Sequence, residues 1–177
     1  MVTVKGHEIK AAPIRSAFNR KALQFNNNII TLLKSIGVDD RDIDIPFEKM
    51  AIKKAKASVT WYLSGHRMYF SHNLQNRFVD NLYILFKVIE IETNQILSKK
   101  KTLDEFIETF KEDSDIEDKR KNAREYLGLD SKENELDIIN KKYKTMAREL
   151  HPDMSTGDTE KFKQLNNAHK TLKRELS

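Results

Sequence analysis

The chain has 177 residues, enough for one domain or two small ones, and its five glycines and three prolines are few enough to favour helices. It contains no cysteine, which excludes disulfides and thiolate metal sites and fits a cytoplasmic protein. The net charge of +5 is unevenly spread: residues 1–101 hold 17 Lys and Arg against 9 Asp and Glu, whereas residues 102–118 hold one against eight. The predicted fold class is all-α, with an N-terminal helical bundle followed by a C-terminal helical hairpin.

Targeting and membrane signals are not expected. The first ten residues contain no apolar signal core. The most hydrophobic window, residues 78–91, is shorter than a membrane span and contains Asp80, Lys87 and Glu90. We therefore expect a buried helix there and no membrane insertion.

Three long helices are predicted in the N-terminal part, residues 1–111. The first covers residues 14–36, where apolar side chains recur at steps of three and four, and Gly37 is expected to end it. The second covers residues 47–63. The third runs over residues 68–97 and is apolar on more than one side, which predicts a central position in a small bundle.

The sequence allows two possibilities for what covers the apolar surface of that third helix. Residues 103–110 have helical spacing, and the favoured prediction is a final helix that folds back and closes the core. The alternative leaves Tyr83, Phe86 and Ile91 uncovered as a homodimer or client surface. Residues 112–121 are predicted to be an acidic linker.

The N-terminal part carries no specific functional motif. The basic runs at residues 51–58 and 99–101 would suit an anionic partner such as nucleic acid, but solvated helix faces explain them more simply. The aromatic run at residues 61–72 is either a binding groove or core at a helix corner. His66 and His72 are six residues apart, the wrong spacing for two ligands on one helical face, so no metal site is expected.

The C-terminal part is predicted to form an antiparallel helical hairpin. Its first helix should begin near Asn134, which is interpreted as a cap, and end at Leu150, because His151 precedes a proline. The second helix should begin near Asp158 and a short helical element, residues 122–130, should cover the open side of the hairpin.

The first helix of this hairpin has two distinct faces. One is an apolar stripe made by Ile139, Tyr143, Met146, Ala147 and Leu150. The other is a basic stripe made by Lys141, Lys144 and Arg148. The second helix should bury Phe162, Leu165, His169, Leu172 and Leu176.

These motifs together resemble the J-domain of DnaJ-type co-chaperones, over about residues 122–177. YLGL at 126–129 resembles the short first helix of that family, and KKYKTMARELHPD at 141–153 resembles the second helix running into its His-Pro-Asp triplet. FKQLNNAHKTL at 162–172 resembles the third helix. The front part, by contrast, resembles no family that we recognise.

The resemblance implies a co-chaperone that is not itself an enzyme and needs no cofactor. J-domains bind the ATP-loaded form of a DnaK-type chaperone and stimulate its ATP hydrolysis. The resemblance assigns the chaperone-binding role to nine residues: His151, Pro152, Asp153, Lys141, Tyr143, Lys144, Arg148, Phe162 and Lys163. A catalytic His–Asp pair is not favoured, because no nucleophile accompanies it.

The chain departs from the family pattern at several positions. Met154 follows the triplet where the family usually has a basic residue, and Leu150 precedes it where an aromatic is usual. Asn140, Thr145 and Glu149 stand at positions that are frequently basic, and His169 stands where tyrosine is common. These departures leave two possibilities open: the protein pairs with one dedicated chaperone, or it pairs with its chaperone weakly.

Two function hypotheses follow from the sequence. In the first, the J-domain recruits the chaperone and the front bundle selects an unidentified client or a location. In the second, the protein is a nucleic-acid or complex-assembly adaptor with a degenerate J-domain, supported by the basic front part. The first hypothesis is favoured.

Overall fold

The computed structural model describes most of the chain, namely residues 1–10, 14–113, 115–155 and 157–176. The chain divides into two compact units: unit 1, Met1–Asp113, and unit 2, Ser114–Ser177. The predicted boundaries at residues 111 and 122, and the independent folding of the two parts, remain predictions.

The all-α prediction is wrong for unit 1, which combines helices with two antiparallel sheets. Its described strands are β1 (Val2–Val4), β2 (His7–Ile9), β3 (Ile43–Asp44), β4 (Ala57–Leu63) and β5 (His66–His72). Its described helices are α1 (Phe18–Ser35), α2 (Phe78–Leu97) and α3 (Leu103–Phe110). Unit 1 is therefore an α+β structure.

The three-stranded sheet, in the order β3-β4-β5, replaces the predicted second helix and the start of the third. Strands β4 and β5 form a hairpin around Ser64 and Gly65, which both have positive φ angles, as a two-residue hairpin turn requires. Trp61 and Leu63 are buried while Tyr62 between them is 50% exposed. This alternation has the period of a strand, and the helical interpretation of the same apolar residues was wrong.

A second hairpin, β1 with β2, lies at the start of the chain and was not predicted. Lys5 and Gly6 form its two-residue turn, again with positive φ angles. Val4 and Ile9 are buried in the core of unit 1. The first residues of the chain thus contribute to the hydrophobic core.

The predicted first helix is confirmed as α1, although it begins at Phe18. The predicted end at Gly37 is also confirmed, since this residue has a φ of 97°. The N–H of Gly37 donates to the carbonyl of Lys34 at 3.1 Å, and the N–H of Val38 donates to that of Leu33 at 3.2 Å. These two bonds satisfy carbonyls that the end of a helix leaves unpaired.

Helix α3 closes the core, as the favoured prediction expected. Phe106 and Phe110 are fully buried, or nearly so, and the ring of Phe110 lies 5.2 Å from that of Trp61 on β4. Phe25 of α1 packs against Tyr83 and Phe86 of α2 at ring distances of 5.4 and 5.6 Å. The face considered as an alternative partner surface is therefore partly covered.

Unit 2 is helical in its described residues, as predicted. Its helices are α4 (Ile116–Tyr126), α5 (Leu136–Leu150) and α6 (Thr159–Leu176). Helices α5 and α6 form the hairpin, and α4 packs against α6. Helix α4 begins inside the stretch predicted to be a linker, residues 112–121. Among the described residues, no helix of either unit combines the length and the apolar character that a membrane span requires.

The predicted cap at Asn134 is wrong. The residue before α5 is Glu135, which makes no side-chain capping bond. The side-chain oxygen of Asn134 instead accepts a hydrogen bond of 3.0 Å from Nη2 of Arg124 on α4. The guanidinium of Arg124 is buried and uses this oxygen as one of its acceptors.

Candidate functional site

The His-Pro-Asp triplet occupies the loop that joins α5 to α6. Helix α5 ends at Leu150 as predicted, because His151 takes an extended ψ of 132° before the proline. The N–H of Met154 donates to the carbonyl of His151 at 2.9 Å, and the N–H of Asp158 donates to that of Leu150 at 3.2 Å. The backbone therefore folds the loop tightly across the end of the hairpin.

Gly157 is required by this loop, and sequence reasoning missed it. A Cβ atom at this position would lie 2.0 Å from the carbonyl oxygen of His151, closer than any real contact. The backbone therefore leaves no room for a side chain. The turn-forming composition of the loop was the only signal available in the sequence.

His151 and Asp153 both face solvent. Their side chains are 48% and 88% exposed, and Nδ1 of His151 lies 3.4 Å from Oδ2 of Asp153. The N–H of Asp153 also donates to His151 Nδ1 at 3.3 Å. An acceptor-only carboxylate with this exposure is available to a donor on a partner.

Phe162 holds the imidazole of His151 in place. The two rings meet edge to face, with centroids 5.3 Å apart and planes at 72°. Asp158 caps α6 in front of Phe162, since its Oδ1 accepts the N–H groups of Glu160 and Lys161 at 3.0 and 3.1 Å. These backbone bonds, above all that from Lys161, lower the pKa of the Asp158 carboxyl. The predicted start of the second helix near Asp158 is confirmed.

The predicted basic stripe lies on the solvent side of α5. Lys141, Lys144 and Arg148 are all exposed. Within the described part of the chain, none of the three forms an ion pair. Their positive charge is therefore available to an acidic partner. Lys163, on α6, is also exposed but pairs with Glu160 at 2.9 Å.

Tyr143 lies between the two helices of the hairpin and is only partly exposed. Its ring stacks on that of His169 at 4.0 Å, with planes 11° apart, and its hydroxyl donates to Oδ1 of Asn166 at 2.8 Å. Nε2 of His169 lies 2.7 Å from Oδ1 of Asn140. Burial, and then the charge of Lys173, lower the pKa of His169. Two of the departures from the family pattern, Asn140 and His169, are thus in contact with each other.

A shallow groove adjoins the loop on the side of the basic stripe. It is lined by Ala147, Arg148, His151 and Met154. The side chain of Met154 is 55% exposed. The structure therefore brings the triplet, Phe162 and Arg148 to one end of the hairpin, whereas Lys141 lies nearly two helical turns away along α5.

Unit 2 is thus a three-helix unit with an exposed His-Pro-Asp loop at the tip of its hairpin. Residues 124–177 match the family model of the DnaJ domain, so the C-terminal part of the chain is a DnaJ domain, as the sequence motifs indicated. No curated protein and no solved structure matches the chain. Members of the DnaJ domain family are co-chaperones and not enzymes themselves. In the described residues, no group of three or more His, Cys, Asp or Glu side chains is placed to hold a metal ion.

Proposed function

We propose that the protein is a co-chaperone that binds a DnaK-type chaperone through its DnaJ domain and stimulates the hydrolysis of ATP by that chaperone. The observation that carries the proposal is the exposed His-Pro-Asp loop at the tip of the hairpin in residues that match the DnaJ domain. The chemistry of the loop suits recognition rather than catalysis.

The charges of the hairpin support docking on an acidic surface. Lys144 and Arg148 are exposed on α5 close to the loop, where their field would steer an acidic partner. The carboxylate of Asp153 can accept a charge-assisted hydrogen bond from an arginine of the chaperone. Pro152 restricts the backbone of the loop, which lowers the entropy lost on binding.

Unit 1 is proposed to select the client or the location of the complex, in the cytoplasm. Its hydrophobic core is separate from that of unit 2, and its described surface includes several exposed apolar side chains. A module with its own core can present a second binding surface while the DnaJ domain engages the chaperone. This division of roles would give unit 1 a function of its own beside that of the DnaJ domain.

The adaptor hypothesis keeps one observation in its favour, the basic excess of residues 1–101. Binding to nucleic acid through phosphate contacts would weaken steeply with salt, with a slope set by the number of contacts. Titration of the full chain with DNA and RNA oligonucleotides at two salt concentrations separates this function from the co-chaperone function.

The test of the proposed function is a steady-state ATPase assay. A DnaK-type chaperone from the same source is mixed with increasing amounts of the full chain, and phosphate release is measured. We expect saturable stimulation, whereas the chain alone releases no phosphate. Unchanged chaperone turnover at all concentrations would contradict the proposal.

A further inference from the structure

An apolar groove lies on unit 1 at the start of α1. Its lining consists of Ala17, Phe18, Asn19, Arg20, Met50 and Ile52. The side chains of Met50 and Ile52 are 60% and 52% exposed, although Ala51 between them is fully buried. Met50 and Ile52 thus lie together on one open apolar surface.

The segment that carries Met50 and Ile52 is held by backbone hydrogen bonds on two sides. The N–H of Ala51 donates to the side-chain oxygen of Asn19 on α1 at 3.0 Å. The N–H of Val79, at the start of α2, donates to the carbonyl of Ala51 at 3.0 Å. The exposed side chains are thus presented by a fixed backbone, so a ligand would not have to order them at full entropic cost.

Basic residues flank the apolar groove. Arg20 lies in its lining and Lys49 precedes Met50, and neither forms an ion pair with a described residue. The only acidic residue of the segment 45–56, Glu48, is engaged within the segment. It accepts the N–H of Met50 at 3.1 Å and lies 3.8 Å from Nζ of Lys53.

The first turn of α1 adds to this positive character. Ala17, the residue before the helix, makes no side-chain capping bond, and the first turn contains no acidic residue. The N–H groups of a helix start attract a carboxylate, particularly where no side chain of the chain itself already satisfies them. Arg20 is among the lining residues, so a carboxylate bound near the start of α1 would lie within reach of a basic side chain.

We propose that this groove binds a short segment of a partner protein that combines apolar side chains with acidic ones. The apolar side chains pack on Phe18, Met50 and Ile52, and a carboxylate lies at the start of α1 beside Arg20. Charge complementarity selects this occupant, because the floor is apolar and the charges of the rim are basic. The inference rests on the proposed role of unit 1 in choosing partners, and it gives that role a place and a ligand chemistry.

The experiment uses the full chain and four fluorescein-labelled peptides of about 12 residues, which reach about 40 Å when fully extended. One peptide combines Leu and Phe with Asp and Glu; in the others the apolar residues become Ser, the acidic residues become Lys, or both change. Fluorescence anisotropy gives each affinity. We expect the apolar, acidic peptide to bind at least about tenfold more tightly than each of the others, since either change removes one set of contacts.

Substitutions then locate the site. Ile52→Ser should weaken binding of the apolar, acidic peptide by about tenfold, and Arg20→Glu should weaken it by a similar factor. Leu97→Ser is the matched control, because Leu97 is also exposed, at 55%, but lies at the end of α2 outside the groove. Circular dichroism of each variant checks that the fold is retained.

Three results would overturn the inference. Equal affinity of the acidic peptides with and without apolar residues would mean that charge alone binds. An affinity unchanged by Ile52→Ser would place the site elsewhere. Tighter binding of an RNA oligonucleotide or of phosphatidylserine vesicles, also reduced by Ile52→Ser, would assign the groove to another class of ligand. None of these assays contains a chaperone, so their failure is distinguishable from failure of the ATPase assay.

Discussion

Nη2 of Arg124 lies 2.6 Å from Oε2 of Glu175, in an ion pair whose two side chains are almost completely buried. The pair joins α4 to the last turn of α6. Nε of Arg120 lies 3.9 Å from the same carboxylate oxygen, and Nε of Arg124 donates to the carbonyl of Glu133 at 2.8 Å. Glu175 therefore lies beside two buried guanidinium groups, of which that of Arg120 also pairs with Glu117 at 2.9 Å.

Loss of this carboxylate should destabilise the DnaJ domain strongly. We expect Glu175→Gln to lower the free energy of unfolding of unit 2 by about 3 kcal/mol, because the buried guanidinium of Arg124 loses its closest carboxylate partner. Urea denaturation followed by circular dichroism measures the change. Glu160→Gln is the matched control: it removes only the exposed pair with Lys163 and should cost less than about 1 kcal/mol. Equal losses of stability for the two substitutions would show that burial does not determine how much the pair of Arg124 and Glu175 contributes to stability.

Substitutions in the triplet should remove function without removing the fold. We expect His151→Gln and Asp153→Asn to abolish stimulation of the chaperone ATPase, since both side chains are exposed at the loop. The free energy of unfolding should change by no more than about 0.5 kcal/mol. Ser155→Ala, at another exposed position of the same loop, should retain stimulation. Full stimulation by Asp153→Asn would contradict the proposed role of the triplet.

The basic stripe should act through its charge. Lys144→Glu should weaken binding to the chaperone by about fivefold at low salt, and raising the salt concentration should reproduce part of that loss in the wild type. Binding is measured by surface plasmon resonance at two ionic strengths. Lys170→Glu changes an equally exposed lysine on α6 and should have little effect. An affinity that does not depend on salt would indicate apolar docking instead.

Unit 1 should lose stability in acid because of His72. This side chain is fully buried, neither of its ring nitrogens has a hydrogen-bond partner among the described atoms, and burial lowers its pKa from 6.5 to about 4. The unfolded state then binds the proton more readily than the folded state, so stability is fully present above pH 6.5 and is lost as the pH falls towards 4. Between pH 7 and pH 5 the loss should be about 2 kcal/mol.

Urea denaturation at several pH values measures this loss. His72→Leu should remove it and should stabilise unit 1 at pH 5, because no buried ring is left to be protonated. His66→Gln is the control, since His66 is partly exposed in the same hairpin and its replacement should leave the loss in place. A wild type as stable at pH 5 as at pH 7 would refute the assignment.

Unit 1 should fold without the DnaJ domain, provided that α3 is retained. We expect residues 1–113 alone to melt cooperatively and residues 1–101 to be unfolded or aggregated, because the second fragment lacks Phe106 and Phe110. Each buried phenylalanine contributes about 3–5 kcal/mol by truncation data. Thermal melting of both fragments decides the matter. Cooperative melting of 1–101 would show that α3 is dispensable, and an unfolded 1–113 would mean that the two units share one core.

The sequence predicted unit 2 well because its signals are local. The proline after His151 ends α5, and apolar spacing marks both helices of the hairpin. The sheet of unit 1 was missed because Ala55, Val59 and Tyr62 fit a helical spacing, and a short apolar run does not distinguish that spacing from the alternation of a strand. The turn at Ser64-Gly65, which lies between the segments predicted as the second and third helices, was the deciding signal for a hairpin.

Contacts between distant segments could not be predicted from either pattern. The pair of Arg124 with Glu175 joins residues 51 positions apart, and a charged residue within a helical sequence is ordinarily expected on the solvent side. The apolar groove likewise depends on two segments that pair only in the folded chain, the start of α1 and the stretch around Met50. Sequence periodicity describes one element at a time and carries no information on such pairings.

The contact between Asn140 and His169 has an evolutionary consequence. Oδ1 of Asn140 lies 2.7 Å from Nε2 of His169, so each side chain depends on the other for its hydrogen bond. A descendant that changed only one of them would leave the other without its partner in a half-buried site, and selection would then favour a second change. The two positions should therefore covary among relatives. Asparagine at position 140 together with histidine at position 169 would then distinguish the relatives of this protein from J-domains that have tyrosine in the third helix.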